Sequence, residues 1–179
     1  MSGNGKYLRK TVSAALFLAL GMILPLLTAQ VKEIGDTLLP MHLPVMLCGL
    51  ICGWQYGASV GLLLPFCRAA VFGMPPLYPN AVWMAAELTT YGLVLGLLYT
   101  RVARRSTPRL LLCLAAAMIA GRLVWGIVKA VLLGLGGNAF TLHAFIVGGF
   151  ADALPGILLQ FLLIPLLMRL YERRFSIER

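Results

Sequence analysis

Six apolar segments alternate with short polar connections along the chain, at residues 11–28, 38–53, 58–72, 81–99, 110–135 and 142–171. A helix that spans a bilayer needs about 20 mostly apolar residues, so the pattern predicts an all-α membrane protein with six transmembrane helices. Little of the 179 residues is left over, and 1–179 reads as a single six-helix transmembrane domain. Within the second and third segments Gly49, Gly53, Gly57 and Gly61 recur every four residues. Such spacing permits close helix approach, and the later members are expected in or near a short inner turn.

Composition supports the same class. The chain is 60% hydrophobic and 12% charged, too little polar surface to dissolve a domain of this length. KYLRK ahead of the first run resembles the basic start of a secretory signal, but the run is long for a signal core and lacks a convincing small-residue cleavage site. It is read as a retained helix. The four cysteines (Cys48, Cys52, Cys67 and Cys113) lie in apolar segments without a histidine or acid at ligand spacing, so no metal site is expected. Walker A and glycine-rich nucleotide motifs are also absent from the sequence. No cofactor is expected, and an ATPase that energised transport would be a separate polypeptide.

The net charge of +9 is distributed in a way that points to a bilayer rather than to nucleic acid. Lys6, Arg9 and Lys10 precede the first helix, Arg101, Arg104, Arg105 and Arg109 lie between the fourth and fifth, and Arg169, Arg173, Arg174 and Arg179 follow the sixth. These eleven basic residues share one side of the six-helix arrangement, against Lys32 on the other. The positive-inside rule therefore places the N and C termini in the cytoplasm. The connections at 31–37, 73–80 and 136–141 face outward.

Arg68, Arg122, Lys129, Glu87 and Asp152 remain within the spans, where a charge facing lipid is costly and usually meets a cavity or a partner. Pairing between helices is one reading. The other starts from the count, because three cations against two acids leave a positive charge that an anionic ligand would answer. Asn80, Trp83, Met84, Glu87 and Tyr91 recur at helical spacing on the fourth segment, and Arg122, Trp125 and Lys129 on the fifth. Both stripes converge on the outer leaflet beside the proline-rich GMPPLYPN, which reads either as a rim or lid or as an ordinary turn. Arg68 and Glu87 are expected to flank the mouth of that polar pocket.

His42 lies between Pro40 and Pro44, so the backbone there is expected to enter the membrane as a broken or kinked helix. The histidine reads as a hydrogen-bonded structural residue or as a ligand contact. Asp152 is an ion-pair candidate for Arg122, with Pro155 available to distort the last helix. GASVG, at 57–61, matches the G-x-S-x-G pattern of serine hydrolases. Ser59 falls at the inner end of the third helix and His143 at the outer end of the sixth, about 20 Å apart along the membrane normal. That separation excludes a nucleophile–base pair, so no catalytic residues are expected and the chain is not read as an enzyme.

The topology, together with LPMHLPVMLCGLICGWQYG and FGMPPLYPNAVWMAAELTTYGLVLGLLY, resembles the substrate-binding S component of energy-coupling factor (ECF) transporters over nearly the whole chain. Ala15 and Ala19, in SAALFLALG, match the A-x-x-x-A with which that family docks its membrane coupling subunit. The resemblance implies a multi-pass cell-membrane subunit that binds a vitamin or related micronutrient. It also implies partners, a coupling subunit and two ATPases, which topple the binding subunit to deliver its cargo. The implied pocket falls on Asn80, Trp83, Glu87, Tyr91, Trp125 and Lys129, with His42, Arg68 and His143 near its rim. Lys129 or Arg122 would hold a carboxylate and Trp83 or Trp125 would cover a ring or chain. Pantothenate is the first candidate and a nicotinate-like ligand fits the same charge, while a neutral or cationic ligand fits if Glu87 faces the pocket unpaired. Two other readings remain at this stage, a membrane scaffold or assembly protein without a small ligand and a self-sufficient secondary transporter.

Overall fold

The computed structural model describes residues 3–28, 38–103, 106–137 and 140–177. Within them the chain forms α1 (Gly3–Ile23, continued by a 3-10 turn Leu24–Thr28), α2 (His42–Cys52), α3 (Trp54–Phe72), α4 (Val82–Leu98), α5 (Thr107–Leu135), α6 (Leu142–Ile146) and α7 (Leu154–Ile177). Wider π-type turns occupy Tyr99–Ala103 and Val147–Ala151, and a turn kinked at the extended Tyr78 occupies Leu77–Ala81. The connection expected at 31–37, including Lys32, and the basic residues Arg104, Arg105 and Arg179 lie outside the described residues. Among the described residues, four stretches are long and apolar enough to cross a membrane: Gly5–Leu26, Leu77–Arg101, Thr107–Leu135 and Leu154–Arg174. His42–Cys52 and Leu142–Ala151 are shorter apolar helices.

Prolines explain two departures from the expected boundaries. Pro40 precedes α2 and Pro44 falls in its first turn, where a missing N–H breaks no helical hydrogen bond. The pair therefore sets where α2 begins instead of kinking a longer helix. The expected last span is divided into α6, a π-type turn and α7, with Asp152 exposed in the break. Pro155, second residue of α7, starts that helix; it does not distort one already running.

Glycines set how closely the helices approach. α2 and α3 are joined through Gly53 alone, at φ 103° and ψ 169°, a conformation open in practice to glycine. The hairpin thus turns before Gly57, which lies with Gly61 on the buried face of α3 and not in a turn. Gly57 packs against Gly49, and the backbone of α4 passes over both. A Cβ at Gly92 would stand 2.3 Å from the Gly57 carbonyl, and one at Gly61 would stand 2.5 Å from the Leu88 backbone. Contact this tight maximises the van der Waals attraction that holds helices together where lipid is as apolar as the side chains. Val45, Met46, Cys48, Leu64, Leu88, Leu95 and Leu114 fill the core around it, with Ala14 from α1 and Ile164 from α7.

Beyond its basic start, where Lys6, Arg9 and Lys10 are exposed, the outward side of α1 is apolar, with Val12, Leu16, Leu20 and Ile23 exposed and Ala15 and Ala19 exposed among them. At the end of the bundle carrying Arg101 and Arg109, polar ties replace apolar packing. The Tyr99 hydroxyl donates to Glu172 Oε1 at 2.6 Å, and Arg169 Nε donates to Thr107 Oγ1 at 3.1 Å. Ser59 Oγ donates to Gln55 O of its own helix at 2.9 Å, which accounts for that hydroxyl within α3.

Gly92→Ala should cost about 3 kcal/mol or more by forcing α4 off the α2–α3 hairpin, read as a lowered unfolding temperature in detergent. Gly134→Ala, whose Cβ would meet nothing within 4 Å, should be neutral or stabilise by up to about 1 kcal/mol.

Candidate functional site

Glu87 and Tyr91 are one turn apart on α4 and therefore share a face, which here is the buried one. The Tyr91 hydroxyl donates to Glu87 Oε1 at 2.9 Å. From α5, Arg122 Nη1 reaches the same oxygen at 2.9 Å. From the start of α2, His42 Nε2 lies 3.4 Å from it, without the alignment of a hydrogen bond, and the imidazole stands 5.3 Å from the Tyr91 ring. One carboxylate oxygen thus gathers a guanidinium, a phenol and an imidazole from three helices. Gly121 makes the approach possible, since a Cβ there would fall 2.3 Å from Tyr91 Cε1.

One turn further along α5 the chemistry changes from polar to aromatic. The Arg122 guanidinium carbon is 5.9 Å from the centre of the Trp125 ring, and Lys129 Nζ is 4.4 Å from that same ring. Lys129 Nζ also lies 5.2 Å from the centre of the Trp83 ring and 5.3 Å from that of Phe140. Ring faces carry negative charge density, so each attracts a cation. Phe140 and Phe145 flank Trp125 with ring centres 5.9 Å and 6.2 Å away. Gly148 and Gly149 of the Val147–Ala151 turn lie beside the indole, where a Cβ would make ordinary contact at 3.5 Å. The Leu77–Ala81 turn delivers Trp83 at the head of α4.

The nine pocket residues expected from the sequence are placed unequally. Glu87 and Tyr91 form the buried knot, while Trp83, Trp125 and Lys129 form the aromatic layer. Asn80 stands half-buried in the turn just before Trp83. His42 is not at a rim, being 2% exposed and part of the Glu87 cluster. Arg68 does not flank a mouth with Glu87. It is buried, Nη1 donates to Met22 O of α1, and its guanidinium lies 5.1 Å from the Phe72 ring, so it ties α3 to the end of α1. His143 is exposed on α6, and its neighbour Phe145 is the residue that meets Trp125.

The partner of Arg122 is Glu87, not Asp152. Phe140 and Phe145 were not among the expected pocket residues, and Arg122 was expected only as the alternative to Lys129 for holding a carboxylate. Spacing of three and seven residues from Arg122 to Trp125 and Lys129 carried a signal for the arginine; the two phenylalanines offered none in so apolar a chain.

An apolar helical bundle with stretches long enough to cross a bilayer and a charged cluster held between its helices is the build of a membrane protein. A family model described as "ECF transporter, substrate-specific component" matches residues 9–168. The chain belongs to this family, the substrate-binding components of ECF transporters. Such components are binding subunits for small substrates that associate with a membrane ECF module, and they are not enzymes. Comparison with curated proteins and with solved structures gives no significant match.

Glu87→Ala should destabilise the protein by about 3–5 kcal/mol, because it leaves Arg122 buried against no anion. Replacing both by leucine should recover most of that loss, and Tyr91→Phe should cost about 2 kcal/mol. Thermal unfolding of the detergent-purified variants measures all three.

Proposed function

We propose that this subunit binds a small acidic micronutrient at the outer end of the bundle and hands it to an ATP-driven ECF module. Pantothenate is the first candidate, with nicotinate-like acids next. The observation that carries this reading is the layer in which the Lys129 ammonium lies against Trp83, Trp125 and Phe140. A cation set among rings suits a ligand that joins an acid group to an apolar or ring-bearing body. Glu87, the acid that would have favoured a cationic ligand, is engaged by Arg122 and Tyr91.

The rest of the arrangement follows from the family and the charge pattern. The chain is proposed to fold as one domain over 1–179 that crosses the cell membrane six times, with both termini cytoplasmic. The cluster around Trp83, Trp125 and Lys129, with Asn80 and His143 nearby, then opens outward. A membrane coupling subunit docks on the exposed face of α1 at Ala15 and Ala19, where small side chains allow a helix close access. Two ATPase subunits drive the cycle, which separates this reading from a self-sufficient carrier.

Thermal unfolding against a panel of water-soluble vitamins tests the reading, since a ligand at about 100 times its dissociation constant adds about 2.7 kcal/mol. One acidic compound should raise the unfolding temperature, and Trp83→Ala or Lys129→Ala should remove the shift while the protein still inserts. A shift by a cationic vitamin alone would contradict it. Bulky substitutions Ala15→Trp and Ala19→Trp should leave that ligand shift intact and abolish co-purification with the coupling subunit; retained co-purification would move the docking surface elsewhere.

A further inference from the structure

Arg122 is 4% exposed, and only part of its donor set is used. Nη1 meets Glu87, whereas Nε and Nη2 have no hydrogen-bond partner among the described residues. Buried donors left unmet are costly and rare in folded proteins. These two are also the pair of a guanidinium whose N–H bonds run parallel along one edge, the edge that grips both oxygens of a carboxylate. The opposite side of the same group is fixed in place by Glu87, which is itself held by Tyr91. The unmet edge is therefore pre-oriented, one turn from Trp125, whose ring centre lies 5.9 Å from the guanidinium carbon.

Resting on the acid-binding reading above, we infer that Arg122, and not Lys129, receives the acid group of the ligand, and that the group is a planar carboxylate bound side-on to Nε and Nη2. The body of the ligand then runs outward along Trp125 toward Trp83 and Phe140. Lys129, against those rings, covers the ligand from the outer side. Selection follows from the same edge. An alcohol or amide in place of the acid leaves a charged donor pair poorly met in a dry site, a mismatch that sites of this kind reject strongly.

The test is equilibrium binding by the full chain in detergent, using pantothenate, nicotinate, biotin and lipoate as probes, each beside its neutral counterpart (panthenol, nicotinamide, biotinamide and lipoamide). The wild type should bind at least one acid and prefer it to its neutral partner by about 100-fold. Arg122→Lys keeps a cation facing Glu87 but has no donor fork; it should weaken the acid about 10- to 100-fold and collapse the preference. Lys129→Gln should weaken both members of a pair and preserve their ratio. If Arg122→Lys does not fold, the paired change Arg122→Gln with Glu87→Gln removes both charges together and should lose the same preference. A preference that survives at Arg122 and collapses in Lys129→Gln overturns the assignment to Arg122 while leaving the acid-binding reading intact. Wild-type protein that binds no acid, or binds acids and neutral partners equally, overturns both.

Discussion

A charge inside a hydrocarbon bundle has to be met by another charge and by hydrogen bonds, and Glu87 is where this chain meets that requirement. Its carboxylate joins α4 to α5 through Arg122 and receives the Tyr91 hydroxyl, while His42 brings the start of α2 alongside. Removing a carboxylate or ammonium from water carries a penalty of several kcal/mol that is offset only by good geometry. The knot therefore works less as added stability than as a constraint on how three helices sit together. It also fixes the orientation of Arg122, and with it the layer of side chains further along the same face of α5.

Close packing supplies the rigid half of the molecule. Gly49, Gly57, Gly61 and Gly92 let the α2–α3 hairpin and α4 touch backbone to backbone, and that contact delivers Glu87 and Tyr91 to the interior. The other half is built differently. Trp125 is surrounded by residues from the short α6, the Val147–Ala151 turn and Phe140, where aromatic side chains rather than interlocked helices fill the space. The proposed ligand site would lie at the boundary of these two halves, with one wall that holds a charge in register and another made of aromatic side chains. This is a division of labour suited to a binding subunit.

Much of this was legible in the sequence, and the misses have physical reasons. Apolar periodicity located the helical segments, and helical spacing gathered Trp83, Glu87 and Tyr91 on one helix and Arg122, Trp125 and Lys129 on another. Periodicity names a face but not the neighbour it meets, so Arg122 could be assigned to Asp152 when the acid across from it is Glu87. His42 was expected near the rim from the family resemblance; it begins α2, and its imidazole is buried beside Glu87. Arg68 shares the outer end of its helix with the pocket by sequence, yet it serves the end of α1 through Met22. Gly53 ended α2 in a single residue, a sharpness that its place in a four-residue glycine repeat concealed.

The central claim is that an outward site of aromatic and cationic side chains holds a small organic acid. Native mass spectrometry of the protein gently extracted from its own membranes, followed by release and identification of whatever small molecule remains bound, addresses it most directly. A stoichiometric adduct that proves to be a carboxylic acid with a ring or apolar body is the expected result. A stoichiometric adduct that is neutral or cationic would contradict the claim.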